Sequence, residues 1–87
     1  MKWEICYSER ALKFIRKNNL EEKIREIIKK FILRYMGETI SIDVKKLKGE
    51  WKGYHRIRSG KIRIILKVNK DSQIVYIDAV DFRKNVY

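Results

Sequence analysis

The chain has 87 residues, with 22 Lys and Arg against 11 Asp and Glu, a formal charge of +11, one cysteine and no proline. That length suits one domain, 1–87, with a small packed core. A lone cysteine excludes an internal disulfide framework, the apolar runs are too short to span a bilayer, and Met1-Lys2-Trp3-Glu4 lacks a secretory layout, so a cytoplasmic protein folded by packing alone is expected.

Residues 2–7 alternate and are rich in aromatic and β-branched types, which predicts a short strand. Trp3, Ile5 and Tyr7 share one face of it. Ser8 suits a helix N-cap, with Glu9 in the first turn, and Ala11, Leu12, Phe14 and Ile15 follow at helical spacing until Asn18-Asn19. Asn19 is placed to cap a second helix, with Glu22 in a capping-box position. Leu20, Ile24, Ile27, Ile28, Phe31, Ile32 and Tyr35 then recur every three or four residues, and Gly37 is a natural stop. So short a connection makes the two helices an antiparallel hairpin.

Residues 38–53 read as irregular. The period then switches to two: a strand at 54–58, a tight Ser59-Gly60 turn, a strand at 62–68, a turn at 69–72 and a strand at 74–80, with a tail after it. The expected fold is α+β: two N-terminal helices packed on a small, mainly antiparallel sheet that ends in a three-stranded meander.

Nine of the basic residues fall in the segment 45–67, which holds one acid, Glu50. A basic face for a polyanion, most simply RNA, accounts for this better than solubility does. Strand alternation puts Tyr54, Arg56 and Arg58 on one face, with Lys52 if the strand extends back, and Arg63 and Lys67 beside them on the returning strand. The turn is expected to set Arg58 beside Lys61 and Arg56 near Arg63. Guanidiniums crowded in this way fit phosphate oxygens, although solvated arginines are the plain alternative. Trp51 and Tyr54 can stack on bases or simply pack.

Metal chemistry is not expected, with one histidine, one cysteine and no close carboxylate cluster; no cofactor is implied. His55 falls on the inward side by period and reads as a packed histidine. What remains is metal-free RNA cleavage. The substrate's 2′-OH is the nucleophile there, arginines stabilise the phosphorane, and a tyrosine or lysine handles protons.

Several motifs in order resemble the RelE/ParE toxin superfamily of type II toxin–antitoxin systems. They are Leu47-Lys48-Gly49, Gly53-Tyr54, Arg56-Ile57-Arg58, Gly60, Arg63-Ile64-Ile65, Phe82-Arg83 and Val86-Tyr87. The resemblance covers about the last 40 residues by motif, and the first half agrees in layout. It implies a RelE-like fold and a metal-free, ribosome-dependent mRNA endoribonuclease that inhibits translation. Its implied partners are mRNA on the ribosome and a cognate antitoxin with an acidic, extended segment. By the same resemblance Arg56 contacts phosphates, Arg63 stabilises the transition state and Tyr87 orients substrate. Lys48, Lys52, Tyr54, Arg58, Lys61 and Arg83 complete the expected RNA contacts. This chain departs from the family at Tyr54, where a lysine is usual, at Asp81, and at Phe82, where many members have histidine. Those departures leave open a ParE-like inhibitor of DNA gyrase, or an RNA- or ribosome-binding protein that does not cut.

Overall fold

A computed structural model of the chain describes residues 2–82; Arg83 and Tyr87 lie outside the described residues. The elements run β1 (Glu4–Tyr7), α1 (Glu9–Lys17), α2 (Glu21–Tyr35), β2 (Asp43–Lys46), a 3-10 turn (Gly49–Trp51), β3 (Tyr54–Ser59), β4 (Ile62–Asn69) and β5 (Ile74–Phe82). The strands form one five-stranded sheet in the order β1-β5-β4-β3-β2. β1 runs parallel to β5, and every other pairing is antiparallel.

Helix α1 starts as its sequence dictates. The Ser8 hydroxyl accepts from the Ala11 amide at 3.1 Å and donates to the Asp78 carbonyl at 2.6 Å. One side chain therefore caps the helix and ties it to β5. Asn19, expected to cap α2, instead closes α1. It takes the left-handed conformation (φ 53), its amide donates to the Arg16 carbonyl, and the Leu20 amide donates to the Ile15 carbonyl. This is the paired bonding of a Schellman C-terminus. Leu20 takes the N-cap position of α2 with no side-chain cap. A connection of three residues has no spare position, so the asparagine that ends one helix cannot also begin the next. Gly37 (φ 105) ends α2 with the same pair of bonds, to the Arg34 and Leu33 carbonyls.

The helices cover one face of the sheet. Ala11, Ile15, Ile24, Ile27, Ile28 and Phe31 meet Ile57, Ile64, Leu66, Val75, Ile77 and Val80, all buried. Trp3, Ile5 and Tyr7 pack against this cluster, on the side that alternation assigned to them. Burial of about 1.5–3 kcal/mol per large aliphatic side chain makes this the stabilising half of the molecule.

Two further features correct the sequence reading. Residues 43–46, read as irregular, form the edge strand β2. With Val44 as its single apolar residue, β2 shows too little alternation to be recognised; its lysines are what an edge strand carries to discourage further pairing. The β3–β4 turn is Gly60-Lys61 rather than Ser59-Gly60, because Ser59 pairs with Ile62 and Gly60 has φ 60. Glycine at the first of two turn positions with positive φ suits a tight hairpin. The shift moves each cross-strand partner by two residues and so leaves every side chain on its expected face.

A bulge in β5 fixes the charge of the uncovered face. Ile65 pairs with Ala79 but Leu66 pairs with Ile77, which leaves Asp78 as the extra residue. The bulge restarts the alternation, so Val80 points into the core and Asp81 falls opposite Arg63. Asp78 itself is held by Arg10, whose guanidinium donates to the carboxylate at 2.8 Å and to the carbonyl at 3.1 Å.

Candidate nucleic-acid interface

The register places the residues of the uncovered face rung by rung. Nearest the hairpin tip, Asp43 faces Arg58, Arg58 faces Arg63, and Arg63 faces Asp81. One rung further in, Lys45 faces Arg56, Arg56 faces Ile65, and Ile65 faces Ala79. On the next, Tyr54 faces Lys67, Lys67 faces Tyr76, and Tyr76 faces Cys6.

The tip rung alternates acid, base, base, acid. Arg58 donates from Nε to the Asp43 carboxylate at 2.7 Å, an exposed ion pair. The Arg63 guanidinium folds toward the turn and donates from one nitrogen to the Gly60 carbonyl at 2.7 Å and the Ile62 carbonyl at 2.9 Å. Two guanidiniums directly across a strand pair repel, and the flanking carboxylates offset that cost.

The inner rungs differ. Arg56 is half-buried, and its Nε is buried with no hydrogen-bond partner. Lys45 across from it is exposed, and so is Lys67. Among the described residues no carboxylate faces any of the three. An unpartnered guanidinium nitrogen beneath a sheet surface is costly until an acceptor meets it. Arg56 and Arg63 share the face but stand one rung apart on the diagonal, since Arg56 is opposite Ile65 rather than Arg63.

The remaining expected residues divide. Lys48 and Lys52 are exposed on the loop that carries the 3-10 turn. Tyr54 joins the inner rungs, with the Lys67 ammonium 5.2 Å from its ring centre. Lys61 leans away; its ammonium sits 4.8 Å over the ring of Phe82, which packs against the helix-side core. Sequence reasoning missed Asp43 and Lys45. Their common signal was the alternation of Asp43 and Lys45 about Val44, visible once 43–46 is read as a strand.

His55 points to the helix side, edge-on to Phe31 at 5.7 Å between ring centres. Its Nδ1 is buried and unpartnered. Burial, and then the Lys46 charge opposite it, lower its pKa below 6.5, so it stays neutral. That suits a packing role. Among the described residues no three His, Cys, Asp or Glu side chains stand close enough to hold a metal ion, and no helix is long and apolar enough to cross a membrane.

The uncovered face is thus a cationic, aromatic-edged surface laid on a helix-backed sheet, an arrangement suited to a sugar–phosphate chain. The architecture is shared with known toxins. One chain of the toxin–antitoxin complex RelBE2 from Mycobacterium tuberculosis is 19% identical with a TM-score of 0.71, covering 95% of this chain and 100% of that one. One chain of the RelB–RelE antitoxin–toxin complex from Methanococcus jannaschii is 26% identical with a TM-score of 0.66, over 94% of both chains. The YafQ structure from E. coli is 15% identical with a TM-score of 0.63, over 99% of both. No family model matches the sequence, and no curated protein matches it. The fold is RelE-like, the α+β architecture of the RelE, YafQ and YoeB structures.

Proposed function

We propose that this chain is the toxin of a type II toxin–antitoxin pair, acting in the cytoplasm as a metal-free, ribosome-dependent mRNA endoribonuclease. The observation that carries this reading is Arg56: a guanidinium with an unpartnered Nε, flanked by Lys45 and Lys67, on the open face of a RelE-like sheet. In the reaction the 2′-oxygen of a bound nucleotide attacks the adjacent phosphorus as the bond to the 5′-oxygen breaks. A base removes the 2′ proton, and an acid supplies one to the leaving oxygen. Arg56 and Arg63 would offset the negative charge gained in the phosphorane. Lys48, Lys52, Tyr54 and Arg58 would line the RNA path, with Lys61 at its rim. Arg83 and Tyr87 keep the roles that the family resemblance gives them.

The purified protein is expected to cut mRNA in a translating extract. Arg56→Ala should lower that rate by roughly 10²–10³, and Arg63→Ala should also lower it. Intact mRNA at saturating protein, with supercoiling by gyrase inhibited instead, would replace this reading with a ParE-like one.

The proposed partner is an antitoxin with an acidic, amphipathic segment. Met36 is 44% exposed and Tyr35 38% exposed, unusual for large apolar side chains in so small a protein. Met36 borders a groove with Trp3, Ile5, Ile32 and Leu33, and Arg25 and Lys29 also line it. Apolar floor and cationic flank together fit such a segment. Coexpression with a neighbouring short acidic reading frame should yield a complex that Met36→Asp weakens.

A further inference from the structure

We propose that Lys45 is a catalytic residue of this site, the general acid that protonates the leaving 5′-oxygen as the RNA backbone is cut. This rests on the ribonuclease reading of the same face and deepens it, by assigning one of the two proton transfers to a named side chain.

The face is rich in guanidiniums, and a guanidinium does not part with its proton at any biological pH. Arg56, Arg58 and Arg63 can offset charge, yet none of them can protonate a leaving group. A lysine ammonium can give up a proton. The described lysines near the face are not equivalent. Lys46 stands on the helix side, opposite His55. Lys61 lies over the Phe82 ring at 4.8 Å, and Lys67 over the Tyr54 ring at 5.2 Å. Lys48 and Lys52 belong to the loop between β2 and β3. Lys45 is exposed and pairs directly across to Arg56, whose Nε is buried without a partner. Side chains opposite one another in an antiparallel pair share a face, with Cβ atoms about 4.5–5.5 Å apart. A phosphate that meets the Arg56 guanidinium therefore lies within the span of the Lys45 side chain. The Tyr54 phenol, the other proton carrier nearby, stands one rung further in.

The strand that carries Lys45 is fixed before any substrate arrives. Val44 packs against the helix-side core. At one end of β2 the Asp43 carboxylate accepts from Arg58 at 2.7 Å. Just past the other end the Leu47 amide donates to the Tyr54 carbonyl at 3.0 Å. With the backbone held on both sides, only the lysine stem has to move. An ammonium set across from a guanidinium is repelled by it, and a phosphate between the two removes that cost.

In the cleavage the 2′-oxygen loses its proton to water and bonds to phosphorus. The bond from phosphorus to the 5′-oxygen breaks, and its electron pair stays on that oxygen. Lys45 gives the oxygen a proton, becomes a neutral amine and is reprotonated from water. The products are a 2′,3′-cyclic phosphate and a 5′-hydroxyl. A proton delivered as the 5′-oxygen gains charge lowers the barrier to its departure.

The test replaces that one oxygen with sulfur. The full chain is first given an ordinary mRNA in a translating extract, which maps the cut. The same message is then made with a bridging 5′-sulfur at that bond, and single-turnover rates are compared. A thiol has a pKa of about 8.5, so the thiolate leaves without being protonated. Lys45→Ala should slow cutting of the ordinary message by roughly 10²–10⁴ and of the sulfur message far less. Lys45→Arg keeps the charge but has no proton to give, so it should show the same split. Equal losses on both messages, or an arginine variant as fast as the unaltered chain, would overturn the assignment and leave Lys45 a phosphate contact. If the unaltered chain cuts neither message, the ribonuclease reading falls and takes this assignment with it.

Discussion

The tip rung and the inner rungs of the open face carry similar numbers of cations, yet they are chemically different surfaces. At the tip, Arg58 is already paired with Asp43, and Arg63 is bonded to the turn it stabilises and faces Asp81. Further in, Arg56, Lys45 and Lys67 face no acid among the described residues. In the proposed reading net charge would bring RNA to the protein, and the pairing of individual charges would decide where the strand settles. An arginine that must first leave a carboxylate gives back part of what it gains from a phosphate. One that has no partner in the unliganded protein gives back nothing, and it relieves a desolvated nitrogen.

In the proposed reading stability lies beneath the helices and binding lies across the sheet from them. Ile28, fully buried on α2, tests the first half. Ile28→Ala should cost about 2–5 kcal/mol in denaturant unfolding, while the folded fraction keeps its RNA affinity. A silent Ile28→Ala would mean that the core has been misplaced.

A sharper test copies the tip rung onto the inner one. Lys45→Asp sets a carboxylate opposite Arg56, as Asp43 stands opposite Arg58. Affinity for unstructured RNA should fall more than about ten-fold at low salt, and the dependence of binding on salt should flatten. An unchanged affinity would show that the two rungs are equivalent.

The smallest effect concerns pH. His55 has a lowered folded-state pKa, so the unfolded chain takes up its proton first as pH falls. The contribution of neutral His55 is complete above the ordinary value near 6.5. It declines as pH drops through that value toward the lowered one. His55→Phe should flatten this part of the stability profile, measured by denaturant midpoints, without changing RNA binding at neutral pH. A profile equally steep in the variant would assign the dependence to another group.

Periodicity carried most of the architecture. The 3.6-residue repeat of α2 and the alternation of β3 and β4 assign the same faces that the structure shows, because burial on one side demands that pattern. β2 escaped because a charged edge strand has little to bury. Asn19 misled because the same residue type serves helix starts and left-handed helix ends, and only the length of the connection decides between them. In the candidate site, the shared face of Tyr54, Arg56 and Arg63 could be read from spacing. The neutralisation of Arg58 could not, since it depends on an unrecognised neighbour strand. Nor could the position of Asp81, which depends on a bulge at Asp78 that shifts the alternation by one residue.

Which arginine would receive the RNA in the proposed function is decided by a paired affinity measurement. Arg56→Ala and Arg58→Ala remove the same charge from the same strand, two residues apart. Titrated with one unstructured oligoribonucleotide at fixed ionic strength, Arg56→Ala should lose most of the affinity and Arg58→Ala only a small part. Equal losses, or a larger loss at Arg58, would contradict the claim that the unpartnered guanidinium marks the site.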